Sequence, residues 1–478
     1  MKLKPMVLVS LFVFLTVCFG QGQTSLAEMM TSGDYQYTII NGKAVIRYYT
    51  GGETGTLVLP DQLDGKQVVS IGDAAFLGNS FTAVVIPASI TDIKAGVFGS
   101  CTKLLSIDVA AGNPTYQQMD GVLFDKTKSA LHTYPAARTA TDYQVPNGTA
   151  SIYSGAFFMA SLLTSITLPE SIKEIGEMAF NGCSGLVSVT IPNGVQTVGS
   201  RAFSMCTSLQ AVSFPASVTS IGLSPFEFCT SLTTISVDAG NTVYTVVDGV
   251  LFDKVQGILH TYPQAKPDIS YQVPAGTLAI GGVAFANSQF LKTVQIPDSV
   301  SAIFDGAFSG CIALETITLP KGLNRLEANV FAACTMLKEI QVPDGVQVIG
   351  TQAFYNCGNL RTVNIPYGVT AIEPYAFAYC TNMFSIVIPG SIIAIGDYAF
   401  LGADWLASVD LPASIQSIGV SAFGDCTKLT SISLPASVTS IGASAFSGCP
   451  NLVARVKNNS YAHGYFYENK LSFTVDNP

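Results

Sequence analysis

The chain has 478 residues, of which 48% are hydrophobic and only 12% are charged, and its formal net charge is −9. The high hydrophobic fraction argues against intrinsic disorder, which is typical of chains with few apolar residues. The acidic balance and the absence of any basic block argue against nucleic-acid binding, because that binding relies on neutralising phosphates.

The N-terminal residues have the pattern of an export signal. Lys2 and Lys4 precede an apolar run that ends at Cys18, shorter than the about 20 apolar residues of a membrane-spanning helix. We predict a signal peptide over residues 1–22 and a protein that is secreted or held at the cell surface. Lipidation of Cys18 would attach it to a membrane such as the outer membrane, although Val17 is bulkier than the residue such sites prefer.

Residues 23–70 are predicted to form an N-terminal cap. Alternating polar and apolar residues surround Asn41-Gly42, a pair typical of a two-residue β-hairpin turn. A hairpin here would cover the apolar end of a stack of repeats.

Residues 71–452 are dominated by a repeated phrase, approximately I-G-x-x-A-F-x-x-C-x-x-L-x-x-I-x-I-P. Most copies are 23 residues apart, and positions are named below by their distance from the phenylalanine. The fourteen phenylalanines are Phe76, Phe98, Phe157, Phe180, Phe203, Phe226, Phe285, Phe308, Phe331, Phe354, Phe377, Phe400, Phe423 and Phe446. A short fixed period predicts a solenoid, in which one unit stacks on copies of itself.

The copy at residues 175–197, together with the turn that follows it, indicates how a coil is built. Val189 alternates with polar residues as in a strand with one buried face, and Pro192 ends that strand. A short helical turn is expected at Arg201–Phe203, and the apolar residue at F−5 is expected to point into the core. The predicted fold is therefore a mostly β repeat solenoid, with parallel strands on one face and short helical turns and loops opposite.

Two inserts interrupt the repeat, near residues 107–142 and 235–270. Both contain Asp-Gly-Val-Leu-Phe-Asp-Lys and Leu-His-Thr-Tyr-Pro, and the two apolar runs predict a β-hairpin in each. His132 and His260 occupy the same position in the two copies, and we assign both a structural place in the hairpin.

Residues 453–478 are predicted to form a C-terminal cap. We expect a short helix over residues 461–470 and a closing strand over residues 471–475. Such a cap would cover the last coil.

Ten of the eleven cysteines share position F+3. They are Cys101, Cys183, Cys206, Cys229, Cys311, Cys334, Cys357, Cys380, Cys426 and Cys449. Stacked coils would align their Cβ vectors in parallel, which disfavours disulfides even where the spacing allows them. We predict buried free thiols and no metal site, because zinc requires convergent ligands.

The sequence contains no catalytic constellation of the usual types. Its three histidines accompany neither a plausible nucleophile nor a paired acid. We therefore predict a protein that is not an enzyme and has no cofactor. Trp405, the single tryptophan, is either an exposed anchor or a filler of the space beside the small Ala403.

The spacing L-x-x-I-x-I-P followed by I-G-x-x-A-F-x-x-C, over about residues 34–474, resembles the leucine-rich repeats of the BspA-like family of bacterial surface proteins. The resemblance implies a right-handed leucine-rich-repeat superhelix on an exported protein. Members of that family are associated with adhesion to host matrix proteins and to other cells. It therefore implies a non-catalytic adhesion or protein-protein interaction function, with a host matrix or cell-surface protein as ligand.

The alternative is a carbohydrate-binding surface protein with glycan ligands. Sugar sites usually combine stacked aromatic rings with amides. The outward strand positions lack aromatic residues, so this alternative ranks second.

The partner-binding surface is predicted on the outward strand positions, F+8 and F+10. Serine and threonine there suit an ordinary solvated sheet face equally well. The positions with the longest side chains form the candidate site: Thr293, Gln295, Thr316, Thr318, Glu339, Gln341, Thr362 and Asn364.

Overall fold

The computed structural model describes residues 28–476. The chain divides into two compact units, the first containing residues up to 231 together with 236–243, and the second containing 232–235 together with 244 onward. The predicted signal peptide, residues 1–22, and Cys18 within it lie outside the described residues.

Strands form almost all of the regular structure. Up to residue 243 they are β1 Met30–Ser32, β2 Tyr35–Ile40, β3 Lys43–Tyr49, β4 Thr56–Val58, β5 Gln62–Leu63, β6 Lys66–Ile71, β7 Ala83–Ile86, β8 Asp92–Ile93, β9 Ser106–Val109, β10 Tyr116–Met119, β11 Val122–Asp125, β12 Ala130–Thr133, β13 Asp142–Gln144, β14 Ser151–Ile152, β15 Ser165–Thr167, β16 Glu174–Ile175, β17 Ser188–Thr190, β18 Thr197–Val198, β19 Ala211–Phe214, β20 Ser220–Ile221 and β21 Thr234–Val237.

The remaining strands lie in the second unit. They are β22 Tyr244–Val247, β23 Val250–Asp253, β24 Ile258–Thr261, β25 Ser270–Gln272, β26 Ala279–Ile280, β27 Thr293–Gln295, β28 Ala302–Ile303, β29 Thr316–Thr318, β30 Arg325–Leu326, β31 Glu339–Gln341, β32 Val348–Ile349, β33 Thr362–Asn364, β34 Ala371–Ile372, β35 Ala394–Ile395, β36 Ser408–Asp410, β37 Ser417–Ile418, β38 Ser431–Leu434, β39 Ser440–Ile441, β40 Val453–Lys457 and β41 Phe473–Asp476. One helix, α1, spans Tyr461–Glu468. Within residues 28–476 no helix has the length and apolar character needed to cross a bilayer.

Each unit is a β-solenoid whose coils pair through parallel strands. The two-residue strands β14, β16, β18 and β20 form one parallel ladder in the first unit. In it Ile152 aligns with Ile175, and Ile175 aligns with Val198. These are the F−5 residues, and all three are buried, which confirms the predicted apolar column. The right-handed sense of the superhelix stays a prediction.

The repeated phenylalanines form a stacked column in the core. From Phe285 to Phe446 in the second unit, neighbouring ring centroids are 4.8 to 5.6 Å apart. Offset-stacked rings at this separation add to the stabilisation that comes from burying them. The column explains why phenylalanine recurs at this position.

The segment around each phenylalanine is a series of turns, so the helical turn predicted at Arg201–Phe203 is wrong. Arg201 has a φ of +53°, which an α-helix does not tolerate. The N–H groups of Arg201 and Phe203 donate to the carbonyls of Leu223 and Pro225 in the next coil, at 3.0 and 2.9 Å. Bonds between coils therefore replace the bonds that a helix would make within its own chain.

Each insert is a three-stranded antiparallel sheet, one strand more than the predicted hairpin. In the first insert β10 pairs with β11, and β11 pairs with β12. The last strand, β12, then pairs in parallel with β14. The insert thus completes a coil of its own, in which Tyr134 takes the phenylalanine position and stacks on Phe157 at 5.0 Å.

The first insert is fastened to the preceding coil by side chains. The Tyr116 hydroxyl accepts from the Ile93 N–H at 2.9 Å, and His132 Nε2 lies 3.0 Å from the Ile93 carbonyl oxygen. Asn113, only 1% exposed, donates from Nδ2 to the carbonyls of Pro87 and Ile90 at 2.9 and 2.8 Å. Side chains therefore satisfy backbone groups at the edge of β8.

Both ends of the described chain carry additional elements. At the start, β2 and β3 form an antiparallel hairpin around Asn41-Gly42. At the far end, Phe466 of α1 is buried and lies 5.2 Å from the Phe446 ring, while β41 pairs with β40. The predicted C-terminal helix and closing strand are thus confirmed.

Candidate functional site

The candidate strand face lies on β27, β29, β31 and β33 of the second unit. In each strand the first and third residues are exposed and the middle residue is buried. All eight candidate residues therefore point outward, as the alternation predicts. They lie on two parallel ladders, β27 with β29 and β31 with β33.

One of the eight, Asn364, is already occupied by the protein itself. Its Oδ1 accepts from the Val342 N–H at 2.8 Å, and its Nδ2 donates to the Val342 carbonyl at 3.1 Å. The side chain thus supplies both hydrogen bonds of a neighbouring backbone group. Asn364 therefore stabilises the fold, and its side-chain amide is not available to bind a partner.

A row of charged residues at F+7 borders this face. The Glu315 carboxylate lies 3.4 Å from Lys292 Nζ and 2.6 Å from Lys338 Nζ. The hydrogen bond and positive charge of Lys338, followed by those of Lys292, hold the pKa of Glu315 below its usual range. Sequence reasoning missed this row because it considered only F+8 and F+10, although the 23-residue spacing of the three residues was visible.

Large aromatic side chains are exposed near the far end of the candidate face. Trp405 at F+5 is 58% exposed and Phe384 at F+7 is 52% exposed. Of the two roles left open for Trp405, exposure supports the anchor. Sequence reasoning missed Phe384 because it sought aromatic rings only at the two outward strand positions.

A model of the BspA-type leucine-rich repeat region, present in six copies, matches residues 64–135, 133–250, 268–384 and 370–472. The chain belongs to the BspA-type leucine-rich repeat family. A comparison with curated proteins returned no match.

Several solved structures are similar to this BspA-type protein. A leucine-rich repeat protein of Eubacterium ventriosum is 23% identical, covers 89% of this chain and 95% of its own, and has a TM-score of 0.51. A leucine-rich cell surface protein of Faecalibacterium prausnitzii is 29% identical over 76% of this chain and 95% of its own, with a TM-score of 0.49. The pneumococcal vaccine antigen PcpA is 18% identical over 95% and 100%, also with a TM-score of 0.49. The likeness to the E. ventriosum structure supports the solenoid fold.

The F+3 cysteines of this BspA-type protein are free thiols, nine of them buried. Each thiol donates to the carbonyl of the phenylalanine one coil earlier, as Cys183 does to Phe157 at 3.1 Å and Cys334 to Phe308 at 3.1 Å. Burial raises the pKa of Cys101 and of Cys357 to about 12. Since the thiolate is the reactive form, Cys101 and Cys357 should react slowly in the folded protein.

We expect alkylation of the folded mature protein at neutral pH to modify Cys449 first, because it alone among the ten is partly exposed. The other nine should react only after unfolding in denaturant without reductant. Intact-mass measurement before and after denaturation counts the labels. Thiols that stay blocked in denaturant would indicate disulfides and contradict the assignment.

His132 is a structural residue of the first insert. It is 6% exposed and its ring stacks on Tyr153 at 4.7 Å. Because a carbonyl can only accept, Nε2 carries the proton toward Ile93, which leaves Nδ1 to accept from the Thr133 hydroxyl at 2.9 Å. Burial lowers the pKa of His132 to about 4.

Metal chemistry finds no support in the part of the chain that the structure describes. There, no group of three or more His, Cys, Asp or Glu residues is arranged to hold an ion. The cysteine column offers parallel thiols and no convergence, and zinc requires convergence.

Proposed function

We propose that this protein is exported and non-catalytic, and that it mediates adhesion by binding a protein such as a host matrix or cell-surface protein. Membership of the BspA-type family supports an interaction function. The N-terminal sequence supports export to the medium or to the cell surface.

The observation that carries the proposal is the outward strand face with its charged border. Seven of its eight candidate side chains make no hydrogen bond that commits them to the backbone, Asn364 being the exception. The buried middle residues fix the coils in place, so the face is preorganised and binding costs little ordering entropy. Because the face is only weakly polar, we expect its affinity for a partner to come from a large contact area and many repeated weak contacts. A few dominant anchor residues are not expected to supply it.

A triple variant, Thr316→Ala, Glu339→Ala and Gln341→Ala, tests this face. All three residues are exposed, so each change should alter stability by no more than about 0.5 kcal/mol. Surface plasmon resonance against a panel of matrix proteins should show at least about tenfold weaker binding, equivalent to about 1.4 kcal/mol.

The matched control removes comparable side chains from the first unit, with Thr167→Ala, Ser188→Ala and Thr190→Ala. The control should bind like the wild type, and both variants should keep the wild-type melting temperature. Unchanged affinity of the first variant would place the binding surface elsewhere. A wild-type protein that bound no matrix protein and no host cell would contradict the proposed function.

A further inference from the structure

A second surface, next to the strand face, combines amides, a guanidinium and aromatic rings. It consists of Asn359, Arg361, Asn382, Phe384 and Trp405, and is called here the amide–aromatic surface. Asn359, Asn382 and Trp405 occupy F+5 on three successive coils, and Arg361 and Phe384 occupy F+7 on the first two. The surface is therefore a small grid whose rows run along the solenoid of the second unit.

Two exposed aromatic rings lie on neighbouring coils of this grid, Phe384 at F+7 and Trp405 at F+5. On other coils these positions vary from polar, as Ser208 and Thr430, to apolar and exposed, as Leu162 and Val187, and Phe290 is a further exposed ring at F+5. Phe384 also lies where the strand ladder is interrupted, since only an isolated bridge between Asn364 and Val387 forms at this coil. Exposed apolar groups at an irregular point of a regular fold are typical of binding sites.

The two amides are held in fixed orientation. Asn382 Nδ2 donates to Asn359 Oδ1 at 3.0 Å, and Asn359 Nδ2 donates to Met336 Sδ at 3.3 Å. Within residues 28–476 the Asn382 oxygen has no hydrogen-bond partner, so an acceptor is free two residues before Phe384. Such a preorganised amide row can bind hydroxyl groups without first ordering its own side chains.

Arg361 supplies an uncompensated positive charge. Its side chain is exposed and makes no ion pair with any described residue, whereas Lys338 in the same row is neutralised by Glu315. A guanidinium binds a carboxylate through two parallel hydrogen bonds. At the opposite end Asp404 precedes Trp405 and lies 3.4 Å from the Thr427 hydroxyl. An anionic group of a ligand is thus favoured at the Arg361 end and repelled at the Trp405 end.

We propose that the amide–aromatic surface binds an acidic glycan. Pyranose rings stack on Phe384 and Trp405, their hydroxyls bond to the amide row, and a sugar carboxylate pairs with Arg361. Neighbouring coils here are 5.3 to 5.5 Å apart, measured between the core phenylalanine rings, which is comparable to the length of one pyranose unit.

Size and charge favour a glycan over a folded protein as occupant. Five side chains cover far less than the roughly 800 Å² per partner of a standard protein interface. The lack of aromatic residues at F+8 and F+10 disfavours glycan binding by the strand face. It does not disfavour glycan binding by the amide–aromatic surface, whose exposed rings lie at F+5 and F+7. The site is separate from the strand face and does not depend on the function proposed for that face.

The single tryptophan of the chain provides the test, because Trp405 itself is in the surface. Full-length mature protein is titrated with tetragalacturonate and with sialyllactose, and its tryptophan fluorescence is followed. Methyl-esterified tetragalacturonate and lactose are the uncharged counterparts. We expect a saturable fluorescence change with at least one acidic glycan and at least about tenfold weaker binding of its counterpart.

Variants then assign the contacts. By calorimetry, Arg361→Gln and Phe384→Ala should each weaken binding of the acidic glycan at least about tenfold. Lys321→Gln removes another exposed cation, which lies 3.9 Å from Asp298, and should leave binding unchanged. The strand-face triple variant should also bind the glycan normally, which separates this proposal from the proposed function.

Three outcomes would overturn the proposal. The first is no binding of either acidic glycan, and the second is equal binding of charged and uncharged forms. The third is glycan binding that survives both Arg361→Gln and Phe384→Ala. If no glycan bound and Phe384→Ala instead weakened a matrix-protein complex, the surface would be a protein docking site.

Discussion

Replacing Asn113 with Asp should lower the free energy of unfolding of the first unit by about 4 kcal/mol. The Asn113 oxygen accepts from the Thr115 and Tyr116 N–H groups at 2.9 and 2.8 Å, and Asp can keep these bonds. It cannot donate to the Pro87 and Ile90 carbonyls, and each buried carbonyl left unpaired costs about 1–3 kcal/mol. A carboxylate facing two carbonyl oxygens adds repulsion, so the loss is larger than that of one hydrogen bond.

Urea unfolding measures the loss, and hydrogen exchange of β10 to β12 shows whether the insert opens first. Asn382→Asp is the matched control, because the Asn382 side chain is exposed and donates to the Asn359 side chain and not to a backbone carbonyl. It should change stability by no more than about 0.5 kcal/mol. A loss below about 1 kcal/mol for Asn113→Asp would show that the insert is held mainly by its strands.

The core could be predicted because a repeat of fixed length places equivalent residues in columns. Once the strand alternation of Val189 and Ile191 is recognised, stacking determines that the F−5 and phenylalanine positions are buried. The exposure of the eight strand-face residues follows from the same alternation. These predictions needed only periodicity.

The turns could not be predicted from local sequence preferences. Arg201-Ala202-Phe203 resembles a helical turn because arginine and alanine favour helices. The N–H groups of Arg201 and Phe203 bond to the next coil instead, and a pattern within one repeat does not report on bonds between repeats. Tertiary pairing here overrides local propensity.

The coil formed by the first insert and the amide–aromatic surface could not be predicted, for other reasons. Leu131 and Tyr134 complete a coil, but they replace the isoleucine and phenylalanine by which the repeat is recognised. Asn113 could have been noticed, because Asn241 stands in the same Ala-Gly-Asn sequence of the second insert and bonds to the Pro215 and Val218 carbonyls. Trp405 and Phe384 lie outside the alternating strand, so alternation gave no indication of their exposure.

The first unit should become less stable as the pH falls from about 6.5 to about 4. The pKa of His132 is about 4 in the folded protein and about 6.5 in an unfolded chain. Between these values the unfolded state binds the extra proton, so the free energy of unfolding rises with pH across the window. The contribution is complete above about pH 6.5 and amounts to about 3 kcal/mol, all of it lost near pH 4.

Urea unfolding at pH 7, 6, 5 and 4 measures this slope, with His132→Gln as the variant that should abolish it. Asp64 and Asp125 have lowered pKa values, so the stability they contribute is lost below the window. Burial raises the pKa of Glu227 in the same unit, which gives a slope of opposite sign, so the share of His132 is the difference in slope between the wild type and His132→Gln. If His132→Gln proves too unstable to purify, hydrogen exchange at the imidazole C2 of the wild type gives the folded pKa directly. A folded value near 6.5, or the same slope from pH 7 to 5 in the wild type and in His132→Gln, would mean that water reaches the His132 ring and that its bond to Ile93 does not hold the insert closed.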